Sequence, residues 1–174
     1  YCKMKIWILI SFLLSAIYAF SQNRMSNDSL RILFHQIENE ADLDRVLKFS
    51  NDPGNTTSQA YFGSVTVMKA EYAFLPTKKY SYFKEGTRIL EHSIKDTKSV
   101  EKVYLRLLIQ LNTPHFLGYY ENITEDVKFI ANNIERSKLP KDWKIVFLEE
   151  IILIENDNYD FSELKKKLAK CKES

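Results

Sequence analysis

Apolar residues recur along this chain at the three- and four-residue spacing of a single helix face, and short stretches of Asn, Asp, Pro, Gly and Ser interrupt them. Asn27-Asp28-Ser29 can cap a first helix with Leu30, Leu33, Phe34 and Ile37 on one face, and Ala41 to Phe49 repeats the pattern with Leu43, Val46 and Leu47. After the Asn51–Asn55 break, Thr57 or Ser58 opens a long helix carrying Tyr61, Val65, Met68, Tyr72 and Leu75 in register, and Pro76 is expected to end it. A fourth helix is predicted from about Lys79 to Ile94, with Phe83, Leu90 and Ile94 inward. Ser99 caps the clearest amphipathic segment, in which Val100, Val103, Tyr104, Leu107, Leu108 and Leu111 share a face. Thr124-Glu125-Asp126 starts another helix, with Val127, Ile130 and Ile134 inward. Trp143 to Ile154 is apolar nearly all round, which predicts the most buried helix of the chain. A last helix places Phe161, Leu164, Leu168 and Cys171 on one stripe.

Helices joined by short connections, with few turn residues between them, predict an all-α fold of antiparallel helix pairs, either a closed bundle or an α-solenoid of about seven helices. The first 21 residues read differently. Met4-Lys5 precedes IWILISFLLSAIYAF, an uncharged apolar run of signal-peptide length, and small residues follow at Ala19 and Ser21. The expectation is a signal peptide over 1–21 with its true start at Met4, cleavage after Ser21, and a single all-α domain over 22–174. That implies an exported protein, periplasmic or secreted. An uncleaved anchor is the alternative, and it would be the chain's one link to a membrane.

Residues 58–112 carry a resemblance. AYFGSVTVMKAEYAF looks like the first helix of a helix pair, and YFKEGTRILEHSIKDTKSVEKVYLRL looks like the second running into the next. This stretch resembles the tetratricopeptide-like family of helical repeats, at a spacing of roughly 41 residues where that family uses about 34. The chain is also similar to short, uncharacterised exported helical proteins of bacteria. The resemblance implies a scaffold or protein-binding role and names no partner.

Composition sharpens what is excluded. With 45% apolar and 28% charged side chains, the 174 residues suit one globular domain. Loss of Lys3 and Lys5 with the leader would bring the 25 basic side chains down to the 23 acidic, so no strong field remains for nucleic acid. Loss of Cys2 would leave Cys171 alone, so the domain is expected to fold by packing, without disulfide or metal. No HExxH, GxSxG, P-loop or GxGxxG pattern occurs, so no metal or other cofactor is expected. Cys171, on an apolar stripe, reads as a small core residue. The lysines of LKKKLAKCK read as the solvated face of a helix and suit its negative pole. Glu125-Asp126 and Glu149-Glu150 do not converge on a helix and read as solvated charge. Glu150 is the exception, predicted to need a partner such as Arg106 or Arg88. Three sequons, at Asn27, Asn55 and Asn122, matter only in a glycosylating pathway.

The stretch LNTPHFLGYYENITED, residues 111–126, carries the main candidate chemistry. Its aromatics are too apolar to lie wholly in water, and the preferred reading is a plug in which Phe116 and Leu117 cap the helix stack while at least one of Tyr119 and Tyr120 stays exposed. As a recognition surface, His115, Tyr119 and Tyr120 would instead face a groove lined by Tyr72, Tyr80 and Tyr82 and take a protein, peptide or glycan. The functional expectation is an exported, non-enzymatic binding or scaffold module. The alternative is a small hydrolase-like enzyme using His115 with a carboxylate from a neighbouring helix.

Overall fold

A computed structural model describes residues 26–154 and 158–173. The leader, its cleavage site and the Gln22 start lie outside the described residues. Among the described residues there are eight α-helices, in order: α1 Asn27–His35, α2 Glu40–Ser50, α3 Thr56–Met68, α4 Pro76–Asp96, α5 Val100–Asn112, α6 Ile123–Asn133, α7 Lys141–Leu153 and α8 Ser162–Glu173. Single 3-10 turns, Lys69–Glu71 and His115–Leu117, follow α3 and α5. No strand occurs among the described residues. The chain is therefore all-α, as predicted.

Local chemistry sets the starts. The side chains of Ser26, Asn39, Asn55 and Ser99 each accept hydrogen bonds from first-turn N–H groups of the helix that follows, satisfying donors left over by the helical pattern. Pro76 corrects one expectation. It opens α4 at the first helical position, where its missing N–H costs nothing, and it does not end α3. Leu75 before it is extended (φ −85°, ψ 131°), as a residue preceding proline prefers. α3 accordingly stops at Met68, and Tyr72 and Leu75 are exposed where they were expected inward.

Neighbours in space follow a regular plan. Helices α1, α3, α5 and α7 pack successively on one another, and α2, α6 and α8 each pack on the helix that precedes or follows them in the chain. α4 lies along α3 in the most extensive contact of the fold. Two glycines set that contact. A methyl group on Gly63 would stand 2.7 Å from the backbone nitrogen of Leu90, and one on Gly86 would stand 2.5 Å from the carbonyl oxygen of Gly63. Gly63 against Leu90 and Val67 against Gly86 also make the pair antiparallel. One continuous core draws apolar side chains from all eight helices.

The most buried helix is α5, where α7 was expected. Ten of the thirteen residues of α5 are buried, including Glu101, Lys102, Arg106 and Gln110. On α7 only Phe147, Leu148 and Ile151 are buried, and Leu153 is 85% exposed. An apolar surface reports what a helix could bury; its place in the stack decides what it does bury. The last stripe behaves largely as read: Phe161, just before α8, and Leu164 and Cys171 within it are buried, Leu168 is half-buried, and Lys167 and Lys170 bond Glu135 at 2.8 and 3.0 Å on the surface. Among the described residues no helix is long and apolar enough to cross a membrane.

Candidate functional site

Two places concentrate chemistry: the polar side chains of α5, and an aromatic groove at the C-terminal ends of α3 and α5. The first is a set of helix-to-helix ties. Glu101 accepts from Arg31 of α1 (2.6 and 2.8 Å) and from the Tyr61 hydroxyl of α3 (2.8 Å). Burial works against the Arg31 charge, but Glu101 beside it holds the guanidinium above its ordinary range. Burial and the Glu101 charge push the Tyr61 phenol well up, which keeps it a donor. Lys102 is buried, and its Nζ donates to Thr56 (2.8 Å) and to the carbonyls of Ser93 and Thr97 (2.7 and 2.9 Å), closing the C-terminal end of α4. Arg106 clamps Asp126 of α6 through two bonds of 2.6 and 2.8 Å and reaches Glu91 of α4 at 2.8 Å. Asp126 is therefore a fully buried ion-pair partner and not the solvated residue that its place at a helix start predicted. Burial pushes its carboxyl up, and the bidentate guanidinium opposes that push.

Glu150 has a partner, but not an arginine. It accepts from the Tyr104 hydroxyl and lies 3.3 Å from His35 Nε2. His35 Nδ1 sits 2.7 Å from the carbonyl oxygen of Arg31, which can only accept, so Nδ1 carries a proton. His35, Tyr104, Phe147 and Trp143 stack as one aromatic cluster around this contact, with Tyr104 and Phe147 only 3.8 Å apart. Burial pushes the Glu150 carboxyl up, but hydrogen bonds from His35 and Tyr104 outweigh it and hold it below its ordinary 4.5. A carboxyl depressed in the folded state contributes stability that is full above its unfolded value and is lost as pH falls through the folded one. Melting temperatures taken downward from pH 5 are thus expected to fall more steeply for the parent than for Glu150→Gln. Parallel curves would remove the ionised carboxylate from the account.

Gln110 is the misfit on α5. It is buried, and neither its amide nitrogen nor its oxygen has a hydrogen-bond partner among the protein groups. Gln110→Met keeps the length and removes both polar atoms, so it should raise stability by on the order of 1 kcal/mol. A thermal melt reads this directly, and a lowered midpoint would mean that the amide is satisfied.

The second place is open. Val67, Ala70 and Glu71 at the end of α3, Pro76, Lys79, Tyr80 and Phe83 of α4, and Asn112, Thr113, Pro114, Phe116 and Leu117 enclose a groove of about 400 Å³. A recess of about 290 Å³ adjoins it and shares Val67, Glu71, Asn112 and Thr113, with Phe34 and Met68 in its wall. Phe116 is 85% exposed and Phe74, on the approach to α4, is 95% exposed; Tyr72, Leu75, Tyr80 and Tyr120 are exposed too. Phe116 is therefore not a plug. Gly118 takes the left-handed conformation (φ 70°) and turns the chain so that Tyr119 is the residue folded back onto α4. Tyr119 meets Phe83 edge-on at 5.9 Å and donates to Glu91 at 2.5 Å.

The expected binding residues divide accordingly. Tyr80 lines the groove. Tyr72 is exposed on the chain between the 3-10 turn and α4. Tyr119 lies instead beside Lys84, Thr87, Arg88 and Glu91, and Tyr82 takes Lys78 over its ring at 5.0 Å. His115 stacks on Tyr120 at 4.0 Å, and among the described residues no carboxylate pairs with it. Phe74, Glu71 and Lys79 are the exposed residues at and beside the groove that periodicity did not find. The one signal for them was Phe74-Leu75 standing in a helix break directly before proline. Phe116→Ala should leave stability within about 0.5 kcal/mol of the parent, and Tyr119→Ala should lower it by about 2 kcal/mol or more, measured by thermal melts. The reverse order would restore the plug.

Among the described residues no group of three or more His, Cys, Asp or Glu side chains is placed to hold a metal ion. Compared with protein-family models, with curated proteins and with solved structures, the chain matches none.

Proposed function

We propose that this chain is a non-enzymatic binding module of the tetratricopeptide-like, helix-pair kind, that it is exported, and that the aromatic groove between the ends of α3 and α5 is its working surface. One observation carries the reading. Phe74 and Phe116 stand in water beside an apolar groove although their rings bring nothing to the core. A cluster of exposed aromatics around a groove of that size is the usual mark of a surface that is covered in use. The ties from α5 support the same reading from the other side: Glu101, Lys102, Tyr104 and Arg106 spend their hydrogen bonds on neighbouring helices, which suits a rigid support for such a surface. A hydrolase using His115 has less behind it, because the imidazole lies against the ring of Tyr120.

The test is a photoreactive phenylalanine analogue placed at position 116 of the full chain, and separately at the exposed Leu153, in cells that make the protein. A discrete cross-linked product from position 116, weakened by Tyr80→Ala and absent from position 153, is expected. Equal, diffuse products from both positions would remove the groove as the working surface.

A further inference from the structure

The occupant of the groove can be narrowed, and the narrowing rests on the reading of that groove as the working surface. We propose that it is a second copy of this chain, docked across a two-fold axis so that Phe74 of each protomer enters the groove of the other.

A two-fold interface brings one patch against itself, so the patch must hold both the projection and the hollow that receives it. This one does. Phe74 is 95% exposed and stands in the short chain between Glu71 and Pro76, both of which line the hollow, so the projection and the hollow lie side by side. The hollow, about 400 Å³, is walled by Val67, Ala70, Pro76, Tyr80 and Phe83, which suits an aromatic ring together with the residues that carry it. Phe116, exposed on the wall, would be covered by the same event.

Charge narrows the choice further. The groove carries one acidic and one basic side chain, Glu71 and Lys79, both exposed. An acidic segment would answer Lys79 and be repelled by Glu71; a basic segment would do the reverse; an uncharged one would leave both unanswered. A copy of the same patch, rotated by a half turn, sets Glu71 of each protomer against Lys79 of the other and answers both. The first turn of α4 has Lys78 and Lys79 and no acidic residue, so the positive pole of that helix would gain its counter-charge from the same Glu71.

The experiment uses charge reversal on the full chain, read by sedimentation velocity over a range of concentrations. The parent should sediment as a concentration-dependent dimer. Glu71→Lys alone and Lys79→Glu alone should each weaken the dimer by roughly tenfold or more, because each places like charges face to face twice. An equimolar mixture of the two variants should restore association, since every Lys then faces a Glu. The double variant Glu71→Lys/Lys79→Glu should pair with itself as the parent does, and Phe74→Ala should lose the dimer with its helical circular dichroism intact. A parent that is monomeric throughout, association indifferent to both reversals, or a mixture that fails to recover would overturn the proposal. A monomeric parent that still yields a discrete product from position 116 with another protein overturns the second copy and leaves the groove standing. A monomeric parent without any such product overturns both.

Discussion

Replacing Arg106 with Ala is expected to cost about 3–5 kcal/mol of folding stability, on the order of 10 °C in melting temperature for a domain of this size. The loss has little to do with an attractive pair disappearing. Asp126 has no exposed surface, and Arg106 supplies both of the hydrogen bonds seen on its carboxylate, so the truncation strands a charge in the core. Glu91 would also lose its bond from Arg106 while keeping the one from Tyr119. The same argument predicts that Arg106→Met combined with Asp126→Leu recovers most of the loss, because apolar groups of similar volume carry no desolvation cost. A double variant as unstable as the single one would mean that the pair contributes net attraction, and the ties from α5 would then be a source of stability and not only of fixed geometry.

The second large effect is steric. Gly86→Ala should destabilise by about 2 kcal/mol or more, although alanine by itself favours a helix by about 1 kcal/mol over glycine. The added methyl would meet the Gly63 carbonyl oxygen at 2.5 Å and the Val67 backbone nitrogen at 2.6 Å. Those atoms belong to the facing helix, so no side-chain rotation relieves the clash, and α3 and α4 must separate. Gly63→Ala meets backbone atoms of Leu90 and Gly86 at 2.7 and 2.8 Å and should behave alike. The two together should cost less than their sum, since helices already parted by one methyl admit the second. Thermal melts of the three variants measure this, and stabilisation by either alanine would show that the helices do not touch as closely as described.

How much of this was legible in the sequence depends on where each residue's partners lie. Helix positions were readable because their causes are local: Ser99 and the residues after it carry both a cap and a period within fourteen positions. The long-range pairs were not. Glu101 bonds Arg31, 70 residues away, and nothing in the neighbourhood of either residue announces the other. For that reason the ion pairs of α5 did not show, and the apolar α7 took the place at the centre that α5 holds. The groove was half legible. Tyr80 and the 111–126 stretch were singled out, with one of Tyr119 and Tyr120 rightly left exposed, but that Tyr119 and not Phe116 folds inward depended on the turn at Gly118. A left-handed glycine shows in the sequence only as a glycine.

Phe116 and Phe74 decide the account, since they are held to be exposed in the lone chain and covered in use. Oxidative footprinting of the full chain, by hydroxyl radicals at low and at high protein concentration with mass-spectrometric readout of each ring, measures this directly. The expected result is heavy modification of Phe74 and Phe116 in dilute protein, with Tyr61 and Phe147 unmodified, and loss of reactivity at both surface rings as concentration rises. Protection of Phe74 and Phe116 already in dilute protein would place them on the chain's own core and contradict the account.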